Sequence, residues 1–284
     1  VSAHPRLSLN SATVKRAGLP RALDAAAEAG IGAVGLWREE VHAVGLDVAA
    51  EQVAGSGLRV SSLCRGGFFT MPEGPERRTA LDDNRRAIDE TAVLAAAGAP
   101  GSAAVLVLVV GGLPGSSRDL PGARAAVADA LAELAPHALD AGVTLAVEPL
   151  HPVHCGDRAV VSTLAQALDL AAPFDPRAVG VVVDTYHLWW DPAVLDGIAR
   201  AGEQGRIASF QLADSMVPVA ADVLLNRHLP GRGVIDFGPV TRAVAATGYT
   251  GDVEVEVFNA DVWDADPFDV ARDTAAAVAA HVPL

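Results

Sequence analysis

Short runs of β-branched and apolar residues alternate eight times with alanine-rich helical stretches, and two of the runs, AVLVLVV (104–110) and VGVVVD (179–184), are apolar almost throughout. A strand without a polar face is buried on both sides, as in a parallel sheet covered by helices; an antiparallel sheet with one wet face reads differently. Strands are predicted at 7–10, 33–37, 60–64, 104–110, 144–148, 179–184, 207–212 and 252–257. Helices are expected around 20–29, 41–54, 77–97, 117–141, 162–171, 192–201, 239–247 and 267–280. Proline stands near the start of several of these, where no N–H is needed. Glycine follows others, at 30, 55, 98, 142, 202 and 248, in the manner of helix C-termini.

Eight β/α units in order suit either a closed barrel or an open doubly wound sheet. No GxGxxG follows the first strand and no GxxxxGK[ST] occurs, so the nucleotide-binding signatures of the open sheet are missing. The expectation is an α/β fold, a single (β/α)8 TIM barrel spanning 1–284 as one domain, a length within the barrel range of about 250 residues plus insertions. The longest loops, 65–76, 149–161 and 213–236, all follow strands. They therefore lie on the face where barrels keep their chemistry.

Composition removes several classes of function. The net charge is −14, from 35 acidic and 21 basic residues, and no basic stripe is present. Nucleic acid is not expected as a partner, because neutralising phosphates supplies most of that binding energy. Lys15 is the sole lysine and falls after the first strand, which argues against Schiff-base chemistry in a buried pocket. Cys64 and Cys155 have no CxxC spacing, so neither a disulfide scaffold nor a zinc finger is expected. The opening VSAHPRLSLN shows no signal-peptide pattern, and the longest apolar run falls short of the ~20 residues a membrane span needs. The reading is a soluble, cytoplasmic protein without a membrane partner.

Polar residues at the C-terminal ends of barrel strands are where chemistry is sought. Glu148 (TLAVEPL), Asp184 (VGVVVDTYH) and Gln211 (ASFQLAD) stand there, and Glu254 and Glu256 lie two apart in VEVEVF, on one face of the strand. A carboxylate ending an apolar strand is expensive unless paired or bound to a metal. Each of these alone reads equally well as a helix N-cap or an ion-pair partner. Side-chain oxygens on four successive strands suit a hard divalent ion, Mg²⁺ or Mn²⁺.

The motifs EPLHP (148–152), DTYHLWWDP (184–192), GRGVIDF (231–237) and GYTGDVEVEVF (248–258) resemble those of the sugar phosphate isomerase/epimerase family of xylose-isomerase-like TIM barrels. CRGGFF (64–69) is similar to one subgroup, and the likeness runs from about residue 20 to the C-terminus. The resemblance implies one divalent metal ion held by Glu148, Asp184, Gln211 and Glu256. Many members have His at the third position; hydroxypyruvate isomerases and certain dehydroshikimate dehydratases resemble this chain in using Gln. His187 matches a substrate-contacting His of the epimerases, and their Arg after the seventh strand has two candidates here, Arg227 and Arg232.

Such a site would polarise a carbonyl and steady an enediolate, while Glu148 and Glu256 remove and return the α-proton. His151 is a candidate second base. Arg65 and Trp190, the latter beside Trp189, are candidate substrate contacts, Arg65 for a hydroxyl or carboxylate. Neither cysteine has the setting of a thiol nucleophile. The leading expectation is an isomerase or epimerase of a non-phosphorylated keto sugar or cyclitol. The rival is a lyase on the same scaffold: an inosose or 3-dehydroshikimate dehydratase, or the catalytic subunit of a C-glycoside deglycosidase acting on 3-oxo-glycosides. A non-catalytic metal-binding subunit is a third reading, opposed by the retention of costly buried acids. Expected partners are a small polyhydroxylated keto substrate and either a second copy of the chain, as a homo-oligomer, or a small β-rich subunit.

Overall fold

The computed structural model describes residues 3–115 and 117–284. Eight parallel strands close into a barrel in the order β1 (Leu7–Asn10), β2 (Ala33–Trp37), β3 (Arg59–Gly67), β4 (Val105–Val109), β5 (Thr144–Val147), β6 (Val179–Asp184), β7 (Ile207–Leu212) and β10 (Val253–Val255), which returns to pair with β1. Helices between successive strands cover the outside, and one core joins barrel and helices through residues such as Leu9, Leu36, Leu106, Leu145 and Ile198, all fully buried. No helix among the described residues is long and apolar enough to cross a membrane.

Four of the strands, β1, β2, β6 and β7, have the bounds expected from the sequence. β3 runs on to Gly67, because Gly66 and Gly67 continue pairing with Leu108 and Val109 after a register shift. The helix expected at 41–54 is two helices, Arg38–Val44 and Leu46–Ser56, parted at Gly45 with φ 89°. That backbone conformation is open to glycine at no steric cost and interrupts the helical hydrogen-bond ladder. The second of the pair ends at Gly57 in the left-handed conformation, two residues beyond the glycine expected to stop it. Gly202 does not follow a helix as expected. It lies inside Val194–Glu203, where an added Cβ would meet the Thr247 side chain of the next helix.

At the N-terminal rim, the first and last strands are stitched together by arginines. Arg6 Nη1 donates to the carbonyls of Tyr249 (2.9 Å) and Gly251 (3.2 Å). Arg59, opening β3, donates through Nη2 to Asp252 Oδ1 (2.5 Å) and to the Pro5 carbonyl (3.0 Å).

Two local devices, one inside the barrel and one at its C-terminal rim, shape the opposite end. The β2–β3 register shifts between Val34 and Gly35, leaving Ser61 as an extra residue, so the consecutive Ser61 and Ser62 both turn their hydroxyls to Glu254 on β10. Gly35 leaves room for that carboxylate: a Cβ there would stand 2.5 Å from Glu254 Cδ. After β7 the chain folds back as an antiparallel ribbon of β8 (Asp214–Ser215) and β9 (Arg227–His228). Buried Asp214 secures this loop, accepting from the backbone N–H groups of Ser215, Gly231, Gly233 and Ile235 at 2.8–3.0 Å.

Gly35→Ala is expected to destabilise the fold by about 1–3 kcal/mol, the usual range for overpacking a filled interior. Urea unfolding measures it, and an unchanged midpoint would show that the carboxylate is free to give way.

Candidate active site

The strand order brings the C-terminal ends of β5, β6, β7 and β10 side by side. Register sets Asp184 beside Gln211, and Gln211 beside Glu254. Glu148 follows β5 directly and Glu256 follows β10 directly. All five side chains are buried. The expected residues therefore meet at one place.

Their hydrogen bonding differs in a telling way. Glu148 Oε1, Asp184 Oδ2 and Gln211 Oε1 are buried without a hydrogen-bond partner. Buried oxygens without a hydrogen bond are costly, and three on neighbouring strands suit a bound cation that accepts their lone pairs. Glu148, Asp184 and His187 also place ligand atoms within 4.8 Å of one another, a set able to hold a metal ion. Glu256 stands apart from that set: Oε1 accepts from Trp37 Nε1 (3.1 Å) and Oε2 from Arg227 Nη1 (2.8 Å).

Arg227 is the cation of the centre. Carried in by the ribbon, it lies 3.6 Å from Asp184 Oδ2 and has Nη2 2.9 Å from His187 Nε2. Its guanidinium packs on the rings of Tyr186 (4.8 Å) and Phe258 (5.0 Å). Asn259 Nδ2 holds its backbone carbonyl at 3.0 Å. Of the two arginines left open by the sequence, Arg227 is 4% exposed and at the site, whereas Arg232 is on the surface.

Burial dominates the electrostatics. It pushes the Asp184 carboxyl up to about 7, against the opposing pull of Arg227 and with the repulsion of Glu256. Burial, then repulsion from Glu256 and Asp184, holds the Glu148 carboxyl well above the ordinary range. Burial and then the Arg227 charge push His187 well down, so its ring is neutral. The His151 backbone N–H donates to His187 Nδ1 at 3.2 Å. Both ring nitrogens thus face N–H donors, and a neutral imidazole with one lone pair can satisfy only one of them. The Cys64 thiol is raised by burial and by Glu256 and Glu148, which keeps it protonated and unsuited to attack.

A cleft above these groups is lined by Trp37, Cys64, Arg65, Glu148, Leu150, Arg158, His187, Leu224, Arg227, Glu256 and Phe258, among others. It adjoins an outer cleft through the shared Trp37, Cys64 and Arg65. Arg65 packs on Phe68, 4.2 Å from ring centroid to guanidinium. His151 and Trp190 lie beside the cleft lining instead of in it. The His151 Nδ1 accepts from Val153 N–H, its ring meets Trp190 edge-on, and Trp190 Nε1 donates to the His187 carbonyl at 2.7 Å. Trp37, Arg158, Leu224 and Phe258 were not singled out from the sequence. Only Trp37, as an aromatic ending a barrel strand, carried a signal of position.

The chain belongs to the xylose isomerase-like TIM barrel family, whose pattern matches residues 23–281. It is similar to a protein of Sinorhizobium meliloti 1021 whose crystal structure superposes with a TM-score of 0.92 at 42% identity, covering 98% of this chain and 99% of that one. Over 150 residues it is 35% identical to a 3-dehydroshikimate dehydratase of Pseudomonas aeruginosa, a match of 50% of this chain and 22% of that enzyme. Over 135 residues it is 28% identical to an L-ribulose 3-epimerase of Mesorhizobium japonicum, 48% of this chain and 41% of that enzyme. The matched segment is thus under half the length of either curated relative. Both of these relatives are enzymes.

In chelator, the contribution of Asp184 to stability is expected to fall as pH rises from about 4, the ordinary aspartate value, towards about 7, its folded-state value, while His187, held neutral in the fold, contributes with the opposite sign. Over that interval the folded protein holds a proton that the unfolded chain has lost. Saturating Mn²⁺ should reverse the slope, since ligands bind deprotonated. Urea titrations of wild type and Asp184→Asn across this range check both, and a stability difference that shifts in favour of wild type as pH rises in chelator contradicts the first.

Proposed function

We propose that the protein is a divalent-metal-dependent isomerase or epimerase of a non-phosphorylated keto sugar or cyclitol, acting by proton transfer through an enediolate. The observation that carries this reading is the trio of buried oxygens without a hydrogen bond on Glu148, Asp184 and Gln211, flanked by the carboxylate of Glu256. Glu148, Asp184 and Gln211 would hold the cation, with Glu256 as fourth ligand and His187 close enough to Glu148 and Asp184 to contribute. A divalent cation supplies Lewis-acid polarisation of a substrate carbonyl. The oxygen donors favour Mg²⁺ or Mn²⁺, while the imidazole of His187 would favour Zn²⁺ or Fe²⁺.

The chain's own groups supply the rest. Glu148 and Glu256 both line the cleft and serve as the proton-transfer pair. Trp37 and Arg227 orient the Glu256 carboxylate through its two oxygens. Trp37, Leu224 and Phe258 give the cleft apolar walls that exclude water from the reacting carbon. His187 and Arg227, which line the cleft, would contact substrate oxygens. Similarity to an L-ribulose 3-epimerase supports this outcome.

Deuterium exchange into the α-carbon of keto sugars and inososes, with elemental analysis of the metal, tests the reading. Wild type should hold about one ion per chain and exchange deuterium, and Glu256→Gln should lose at least about 100-fold in exchange rate, as removal of a general base does. Wild-type protein that binds no Mn²⁺ and exchanges nothing would overturn it.

A lyase outcome is the second reading, and one observation favours it. Arg65 and Arg158 both line the cleft, and their charges repel one another. Such a pair would receive a substrate carboxylate, as a dehydratase of a carboxylated cyclic ketone requires. Similarity to a 3-dehydroshikimate dehydratase supports this branch. Here Arg65→Ala should raise KM at least about 10-fold for a carboxylated ketone, the loss of one charge-assisted contact, and leave KM for neutral keto sugars unchanged. Equal effects on both substrates would remove the branch.

A further inference from the structure

Glu254 belongs to none of the roles above, yet its carboxylate accepts four side-chain hydrogen bonds. Its Oε1 accepts from Asn10 Nδ2 (2.6 Å) and Gln211 Nε2 (3.0 Å), and its Oε2 from Ser61 Oγ (2.6 Å) and Ser62 Oγ (2.8 Å). The cradle is built by the fold. An extra residue in β3 turns two consecutive serines inward, and Gly35 clears the space beside the carboxylate. Ser8 and Ser61 share a further hydrogen bond of 2.7 Å. Asn10 cannot turn its amide round, because its Oδ1 already accepts from the Ala12 N–H at 2.9 Å.

A glutamine amide has a donor end and an acceptor end of nearly equal size, so a neighbour must choose which faces a given direction. Glu254 offers only acceptors at this contact. It captures Nε2 and leaves Oε1 as the free end of the Gln211 amide, buried and without a partner. Turned the other way, Gln211 would set oxygen against oxygen at Glu254 and present N–H groups, which cannot ligate a cation.

We propose that Glu254 is a positioning residue that fixes the polarity of the Gln211 amide, so that oxygen is offered beside Glu148 and Asp184. This rests on the metal-site reading above. The family resemblance implies histidine at this position in many members, and the same contact would serve it. An imidazole donating one N–H to Glu254 would present its other nitrogen in the same direction, so one buried acceptor serves both residue types.

The test is Mn²⁺ affinity, read by electron paramagnetic resonance of the free ion, on wild type, Glu254→Gln, Gln211→Ala and the double variant, with thermal unfolding in chelator alongside. Glu254→Gln should weaken Mn²⁺ binding about 10–100-fold, the usual effect of removing a group that orients a ligand. In the Gln211→Ala background it should add nothing. A purely structural role would lower the unfolding temperature and leave the affinity of the folded protein unchanged. That result, or additive losses in the double variant, overturns the proposal. If Glu254→Gln does not fold, Gln211→Glu reads the contact from its other end. Repulsion from Glu254 should weaken Mn²⁺ binding, whereas a ligand independent of Glu254 would gain from the added charge. Wild type that binds no Mn²⁺ would instead count against the metal site itself.

Discussion

Burying carboxylates together is the constraint around which the C-terminal end of this barrel is arranged. Glu148, Asp184, Glu254 and Glu256 are each at most 4% exposed, and each would be expensive there on its own. The chain answers differently at each position. Glu254 is satisfied by hydroxyl and amide donors, and Glu256 by an indole N–H and a guanidinium. Asp184 takes one backbone N–H from Tyr186 and shares the field of Arg227. Glu148 keeps an oxygen with no partner. Compensation is complete for Glu254, which is walled in, and least for Glu148, which faces the cleft. That gradient separates a carboxylate held fixed by its neighbours from one with an oxygen left open.

Arg227 concentrates much of this compensation in one side chain. It connects a carboxylate after β10 with one at the end of β6 and touches the imidazole of His187. Its backbone is held by Asn259 and its loop by Asp214, whose carboxylate gathers N–H groups from the GRGVID segment. The loop after β7 is therefore part of the electrostatics of the site as well as a wall of the cleft. A cation entering among Glu148, Asp184 and Gln211 would meet the field of this guanidinium, so metal affinity and the position of the loop are physically linked.

Much of this was legible in the sequence because period and burial speak directly there. Strands such as β6, apolar to their last residue and then ending in Asp184, carry both the barrel and the site in one line of text. The break at Gly45 was not legible, since a single glycine inside an apolar-periodic stretch is compatible with an unbroken helix. Glu254 and Glu256 were placed on one face, yet their division of labour depends on the extra residue at Ser61, which only cross-strand register reveals. Arg227 and Arg232 are five residues apart in one loop, and pairing of Ser215 with Arg227 decides between them. Arg158 and Leu224 reach the cleft from loops whose path no periodicity encodes.

The clasp at the far rim has its own consequence. Arg6, Arg59 and Asp252 close the cylinder at the end where the strands begin, a barrel's length away from the carboxylates where they finish. Sealing and reactivity are thereby assigned to opposite ends of the same strands. Exposed stretches of the opposite rim such as 217–222, clear of Asp214 and Arg227, can drift in length and side chain without unfastening the cylinder. A lineage built on this chain could exchange one substrate for another by small steps, each variant still folding while its specificity is in transition.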